Sequence, residues 1–422
     1  MRFLSCLFLL VISLLMTDNQ LLAQVTMRVM HYNLMQYGVS PTDCTPPALA
    51  SRDIWLDSIS RAVKPDIFTI NEMGADPVYA SRIRTKSLKY ATMQAAGFTN
   101  TKGSSIVNML FYNTQKLGYK SVEIIDGTVR DINVYTLYEK TTAAAGDTAF
   151  LYCIVAHLKA GNTSADATQR GAAAVNVMNW LAAKGAGKNV MYMGDCNLYG
   201  TTEAAYQTFI FNADTANRLY DPTGATSNGW NATHTKWLTQ CPRTSSGSCF
   251  SGGGLDSRFD FMLFNKAMMK GTNGVTYTPN TFKVIGNDGS FYNADINCTN
   301  NKQVSKGTRQ ALYSMSDHLP VYSEITFDKA TAIEYAATLA AAIELSGNPV
   351  AETLRGIVRC EEAQPLRLTL WDMQGKKIAE KAITAASEAE FSVDMTAFST
   401  GMYLLKIENA EGKHLTEKVI KL

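Results

Sequence analysis

The chain is a series of short apolar runs, and several of them stop on a polar side chain. Val25 to Leu34 is mostly apolar and β-rich, with His31, Tyr32 and Asn33 near its end. Asp66-Ile-Phe-Thr-Ile-Asn-Glu72 is a second such run, and Ile106 to Tyr112 and Val134 to Tyr138 are further strand candidates. Phe150 to His157 is almost continuously apolar, as expected of a strand covered on both faces, and it ends in an imidazole. Val190 to Met193 leads into Gly194-Asp-Cys-Asn197. Side chains two apart on an extended chain share a face, so Asp195 and Asn197 stand together while Cys196 turns away. Arg258 to Phe264 carries Asp260, and Ser316-Asp-His318 precedes a last apolar run ending near Ile325.

Between these runs, Pro46 to Val63 has helical spacing, with Ala48, Ile54, Trp55, Ile59 and Val63 on one face. Asp166 to Lys184 is an Ala-rich helix with Val175, Met178 and Leu181 on its buried side. Residues 200–256 and 271–311 are loop-rich, and 327–342 are Ala-rich and read as a linker. Beyond it Leu366 to Asp372 alternates with period two. Met402 to Ile407 and His414 to Ile420 are further strands, which predicts a small antiparallel sandwich.

Composition narrows the classes. The 422 residues leave room for one large unit and a smaller one. A hydrophobic content of 46%, with 18% charged residues, is ordinary for a globular protein, and a net charge of +2 excludes a strong overall field. Arg2, the apolar run Phe3 to Met16 and Leu21-Leu-Ala-Gln24 read as a secretory signal peptide, because the run is too short to span a bilayer. No other stretch is long enough to span a membrane. Export permits disulfides. Cys241 and Cys249 flank a polar loop and are one candidate pair, and Cys44 and Cys298 are another. Cys153 and Cys196 lie in or beside apolar strands as buried thiols, which leaves Cys360 over. There is no Cys-x-x-Cys and no His-rich spacing, so a zinc site is not expected.

The order Asn33, Asn71-Glu72, His157-Leu-Lys, Gly194-Asp-Cys-Asn197, Arg258-Phe-Asp260 and Ser316-Asp-His318-x-Pro resembles the endonuclease/exonuclease/phosphatase superfamily over about residues 26–327. Deoxyribonuclease I, abasic-site endonucleases, bacterial sphingomyelinases and inositol-phosphate phosphatases belong to it. The resemblance implies a four-layer α/β/β/α sandwich of two packed mixed sheets flanked by helices. It implies a Mg²⁺-dependent phosphoesterase, Mn²⁺ or Ca²⁺ being alternatives, with Glu72 as main metal ligand helped by Asn33 and Asp317. Asp195, directed by Asn197, would accept a proton from the attacking water. His318, oriented by Asp260, would act on the phosphate or as acid–base partner, and His157 would bind phosphate or assist the leaving group. Arg130 looks like a phosphate-binding arginine of deoxyribonuclease I, and Lys159 and His234 are further substrate candidates.

The implied activity is hydrolysis of extracellular DNA or RNA, and the expected state is a monomer. A sphingomyelinase-like activity, for which Trp230 and Trp237 are candidate membrane contacts, a sugar or inositol phosphatase, and a non-catalytic surface binder are the alternatives. Asn348-Pro349, Leu370-Trp-Asp-x-x-Gly-Lys376, Gly401-Met-Tyr-Leu404 and Lys418-Val-Ile-Lys421 resemble the C-terminal sorting domain of the type IX secretion system, with Trp371 where Tyr or Phe is usual. That implies export through the periplasm of a Gram-negative bacterium to the surface or medium, with the secretion machinery as partner. The expected organisation is a signal peptide 1–24, a catalytic domain 25–328, a linker 329–342 and an all-β sorting domain 343–422.

Overall fold

The structure is a computed structural model that describes residues 25–141, 148–185, 187–225, 228–297, 300–328, 339, 341–360, 363–383, 388–410 and 414–422. The signal-peptide segment, Cys298 and most of the expected linker lie outside the described residues. The chain divides into two compact units near residue 330.

In the first unit the strands are β1 Val25–Tyr37, β2 Ile67–Gly74, β3 Met93–Ala95, β4 Ile106–Asn113, β5 Leu117–Asp126, β6 Asp131–Glu139, β7 Phe150–His157, β8 Asn189–Asp195, β9 Leu219–Tyr220, β10 Asp260–Asn265, β11 Val275–Tyr277, β12 Lys283–Val284 and β13 Val321–Phe327. The helices are α1 Leu49–Val63, α2 Pro77–Ser87, α3 Ser164–Trp180, α4 Ala204–Ile210, α5 Lys266–Lys270 and α6 Lys306–Met315. One sheet has the order β11-β13-β1-β2-β4-β3, with β12 also paired to β13. The other has the order β5-β6-β7-β8-β10-β9. Both are mixed, since β1–β2 and β7–β8 are parallel and their neighbours antiparallel.

Period-two alternation decides what each strand contributes. In β8, Met191 and Met193 join the core between the sheets, while Val190, Tyr192 and Cys196 join a second core with Val177 and Leu181. In β7 the same division puts Cys153 and Val155 between the sheets and Ile154 and Ala156 on the other side. In β10, Met262 and Phe264 face inward and Phe261 and Leu263 outward. Leu56 and Ile59 of α1, Ile83 of α2 and Leu312 of α6 extend the first core, and Ala205 and Phe209 of α4 the second. The result is the expected layering, two packed mixed sheets with helices outside.

Several local expectations need correction. Ile54 is 69% exposed and Val175 is 47% exposed. The buried face of α1 holds Arg52, Leu56, Ile59 and Val63, and that of α3 holds Arg170, Ala173, Ala174, Val177 and Met178 with Leu181 following, so Ile59, Val63, Met178 and Leu181 are buried as expected. Each helix also buries an arginine, Arg52 or Arg170, where the sequence pattern admits only apolar residues. The loop-rich segment 271–311 contains the start of α6, which Ser305 caps by accepting from the Thr308 N–H. The disulfide joins Cys44 to Cys249, and Cys241 is a buried free thiol. Neither expected pairing therefore forms. The 241–254 loop folds onto itself, with the Cys241 Sγ 3.4 Å from the Gly252 oxygen, and this leaves Cys249 for the distant Cys44.

The second unit is all β. Strands β14 Ala341–Leu345, β15 Thr353–Cys360 and β18 Glu388–Asp394 form one antiparallel sheet. Strands β16 Leu366–Asp372, β17 Lys377–Ile383, β19 Gly401–Asn409 and β20 His414–Lys421 form the other, in the order β17-β16-β19-β20. Leu354, Leu368, Leu370, Leu405, Ile407 and Val419 share its core. Ala341 and Ala342, expected as linker, begin β14, because their backbones pair with Cys360 and Arg359.

A buried ion pair and the Cys44–Cys249 disulfide each set a stability expectation. The Arg258 guanidinium is fully buried and holds the Asp221 carboxylate at 2.7 Å and 3.0 Å. Arg258→Ala strands that carboxylate and is expected to cost about 3–5 kcal/mol in chemical denaturation. Burial alone would raise the Asp221 pKa, but Arg258 outweighs it and holds it below the usual carboxylate value. Its contribution is therefore present above the unfolded pKa and lost as pH falls through the folded one. The stability gap between wild type and Asp221→Asn should be widest near neutrality and shrink below about pH 4. Replacing Cys44 and Cys249 together by Ser should cost about 2–4 kcal/mol, because the cross-link closes a long loop in the unfolded chain.

Candidate functional site

At one end of the inter-sheet core the inward-facing residues cease to be apolar. Sheet register brings them together: His31 pairs with Thr69 and Asn33 with Asn71 in one sheet, His157 with Asp195 and Asp260 with Asp195 in the other. His31, Asn33, Asn71 and Asp260 are all fully buried. The parallel approach of β7 and β8 requires Gly194, where an added Cβ would sit 2.0 Å from the Ala156 carbonyl oxygen.

Glu72 arrives by a different route. The β1–β2 register shifts after Asn33 and the β2–β4 register shifts after Ile70. Glu72 has a φ of 60°, a left-handed conformation uncommon for such a residue. The irregularity re-aims its carboxylate, as bulges beside functional sites do. Its oxygens accept from Asn33 Nδ2 at 2.9 Å and from the Gln36 N–H at 3.0 Å.

Asn33 ties the sheets together, because its Nδ2 also donates to Asp195 Oδ2 at 2.8 Å. The Asp195 N–H donates to Asn71 Oδ1 at 2.8 Å, and Asp195 Oδ1 accepts from the Asn197 N–H at 3.0 Å. His157 Nε2 stands 3.7 Å from Glu72 and 3.6 Å from Asp195. His318 Nδ1 is 2.7 Å from Asp260 Oδ2, and its Nε2 is 3.7 Å from Asp195. Asp317 Oδ2 accepts from the Ser251 N–H at 2.9 Å, while its Oδ1 has no hydrogen-bond partner among the described residues.

The charges divide the two histidines. Burial, followed by the fields of Arg130 and His318, keeps the His157 pKa well below the usual value, so this ring is neutral. Burial also works against charge on His318, but Asp260 and Asp195 outweigh it, and its pKa lies well above the usual value. Burial raises the Glu72 pKa, and Asp317 raises it further. Burial lifts Asp195 to about 7, with Asp260 and Glu72 adding to the rise and His318 opposing it. The Asn33 amide donates to both carboxylates, and the charged His318 ring lies beside Asp195. Glu72, His157 and Asp195 offer donor atoms that all lie within 4.8 Å of one another. Carboxylate oxygens, with the unpartnered Asp317 oxygen, suit a hard divalent ion.

Of the weaker candidates, Arg130 donates to the backbone oxygens of His157 and Leu158 at 3.2 Å and 3.3 Å and feels the charges of Glu72 and Asp195. Lys159 is committed elsewhere, with its ammonium 2.8 Å from Asp166 at the start of α3 and bonded to the Ala160 oxygen. His234 bonds Asn231 and Thr233 and packs edge-on against Trp230, whose indole donates to the Leu198 oxygen. Asn197 has a φ of 48°, and its carboxamide reaches the Leu158 oxygen at 3.4 Å. Cys196 points into the outer core, as alternation predicts.

Some members were missed. Asn71 and Asn108 bond each other at 2.7 Å, and Asn108 reaches across to the Val155 oxygen of the other sheet. Asn71 stands beside Glu72 in the motif that carries the resemblance, without a role of its own, and Asn108 is a lone amide inside an apolar run, which was the available signal. The Gln240 carboxamide meets His318 Nε2 at 3.0 Å, and Thr239 Oγ1 accepts from the Asp260 N–H at 3.2 Å. Both lie in a loop with no pattern to mark them. Ser316 donates to the Asn33 oxygen at 2.8 Å and so joins the two ends of the first unit's sequence.

Residues 348–422 match the family model described as secretion system C-terminal sorting domain. No curated protein sequence matches the chain. Among solved structures, the chain is similar to an endonuclease/exonuclease/phosphatase from Bacteroides vulgatus, at 12% identity and a TM-score of 0.47, covering 72% of this chain and 99% of that one. It is similar to an endonuclease/exonuclease/phosphatase family protein from Bacteroides thetaiotaomicron, at 15% identity and 0.44, covering 72% and 99%. The human Nocturnin catalytic domain with bound sulfate is a third, at 14% identity and 0.45, covering 72% and 97%.

Gly194→Ala is expected to push β7 and β8 apart and to lower the melting temperature together with any activity of the site. Cys196→Ala, whose side chain lies on the opposite face, should leave activity intact at reduced stability; loss of activity in a folded Cys196→Ala would contradict the assigned geometry.

Proposed function

We propose that the chain is a secreted, divalent-metal-dependent phosphoesterase, and specifically a nuclease that hydrolyses extracellular DNA or RNA by attack of water. The observation that supports this most directly is the meeting of a charged imidazole, His318, with the Asp195 carboxylate, which shares the Asn33 amide with Glu72, at one end of the sheet interface. A phosphodiester needs negative charge offset at phosphorus, a water activated and a leaving oxygen stabilised. Glu72 would hold the ion, with Asn33 and Asp317 beside it and His157 and Asp195 within reach. Bound Mg²⁺ would supply positive charge for the phosphate and the leaving oxygen.

The chain's own groups supply the rest. Asp195 takes the proton from the attacking water, and Asn197 fixes that carboxylate through its N–H. His318 stays charged through Asp260 and donates from Nε2 to a phosphate oxygen. His157, neutral, offers a hydrogen bond or a nitrogen ligand. Arg130 adds positive potential from behind His157.

A phospholipid substrate is the second reading, and the tryptophans speak against it. Trp230 is half-buried with its indole bonded to Leu198, and Trp237 packs on Phe282 at 5.7 Å. Neither is free to enter a membrane surface. The C-terminal unit would be the export address read by type IX machinery.

Purified protein incubated with plasmid DNA, RNA, sphingomyelin and a small chromogenic phosphodiester should cleave nucleic acid with Mg²⁺ and lose that activity in EDTA. Asp195→Asn should lower turnover by about 10²–10⁴-fold. Glu72→Gln should raise the Mg²⁺ concentration needed for half-maximal rate. Cleavage of none of the four substrates, or a folded His318→Ala as fast as wild type, would defeat the reading.

A further inference from the structure

Asp260 bonds His318 through one oxygen, and its other oxygen, Oδ1, is fully buried without a hydrogen-bond partner among the described residues. The polar atom facing it is His31 Nε2 at 3.8 Å, which is equally buried and equally unpartnered. A buried carboxylate oxygen with no donor is costly. An orphaned imidazole nitrogen pointing at it is the natural remedy, if that nitrogen carries a proton.

The other side of the ring fixes where the proton sits. His31 Nδ1 is 3.0 Å from Thr69 Oγ1, the residue paired with it in the sheet. The Thr69 hydroxyl has one proton and two places to send it, Nδ1 or the Met193 sulfur at 3.5 Å. An imidazole nitrogen is the better acceptor, and a thioether is a weak one. If Thr69 donates to Nδ1, the neutral ring carries its hydrogen on Nε2, toward Asp260. The opposite tautomer would turn a lone pair on the carboxylate. Asn71 is the other polar side chain beside this ring and favours a proton on it; its oxygen accepts the Asp195 N–H and keeps a second lone pair, so a hydrogen on His31 Nε2 faces acceptors only.

We infer that His31 is a positioning residue for the site: held by Thr69 in its Nε2–H form, it braces the free oxygen of Asp260 and thereby fixes the carboxylate that orients His318. The line Thr69–His31–Asp260–His318 crosses from one sheet to the other, so both sheets set the aim of the charged ring. Its catalytic consequence rests on the phosphoesterase reading; its structural consequence does not.

The test compares His31→Phe, which keeps a ring without a donor, with His31→Gln, whose amide still donates, in the full chain. Nitrogen-15 NMR follows the His318 ring signals, identified by their loss in His318→Gln, and steady-state kinetics with Mg²⁺ follow the reaction. His31→Phe should shift the His318 ring signals and lower kcat by about tenfold with KM within about twofold. His31→Gln should restore most of both. Should His31→Phe fail to fold, Thr69→Val tests the same line, with a smaller kcat loss and a His318 signal shift expected. Unmoved His318 signals in the folded variants, or equal kcat losses in His31→Phe and His31→Gln, would overturn the inference. If wild type cleaves no phosphoester, the functional reading fails while the NMR comparison still decides the role of His31.

Discussion

The Asn33 amide group holds two acidic side chains from opposite sheets, Glu72 and Asp195, on one nitrogen. Most of the polar end of the sandwich depends on that link. An interface of Met, Val, Leu and Phe has no reason to hold a fixed register between its sheets beyond shape. The bridging amide, the Asn71 oxygen on the Asp195 N–H and the Asn108 reach to Val155 give this one directional contacts. Only a layer secured in this way can keep carboxylates, amides and imidazoles buried within a few ångströms of each other.

That confinement generates the chemistry. Burial drives Glu72 and Asp195 toward protonation, and it keeps His157 neutral. The same burial fails to discharge His318, because Asp260 sits directly behind it. Two imidazoles near each other thus hold opposite charge states, set by which neighbours they face. Under the proposed function, a cation held by Glu72 would relieve the crowding of the carboxylates, and a phosphate beside His318 would complete the balance of charge.

Much of this was legible in the chain because strands alternate. An apolar run ending at Asn33, His157, Asp195 or Asp260 has to deliver that residue to a sheet end, and parity says which face it takes, whereas Glu72 reaches the site through a register shift that parity does not foresee. Cys196 was read correctly for the same reason. Elsewhere the pattern carried less information. Ile54 stands five residues from Ile59 and so falls on the far side of α1, and Val175 lies at the exposed edge of α3, while the buried faces take in Arg52 and Arg170, which hydropathy scores as polar. The Cys44–Cys249 bond depends on how a Gly- and Ser-rich loop folds back, and Gln240 and Thr239 depend on the same loop. Lys159 sits beside a site residue in sequence, yet Asp166 at the start of α3 draws it away. Contacts that link separate loops leave no trace in local composition.

The proposed function puts a divalent ion at Glu72, at the polar end of the sheet interface. Crystals of the protein soaked in Mn²⁺ and measured at the manganese absorption edge test it most directly. The account predicts an anomalous peak against the Glu72 carboxylate, lost in Glu72→Gln. Well-ordered crystals with manganese only at surface carboxylates, and none at Glu72, would contradict it.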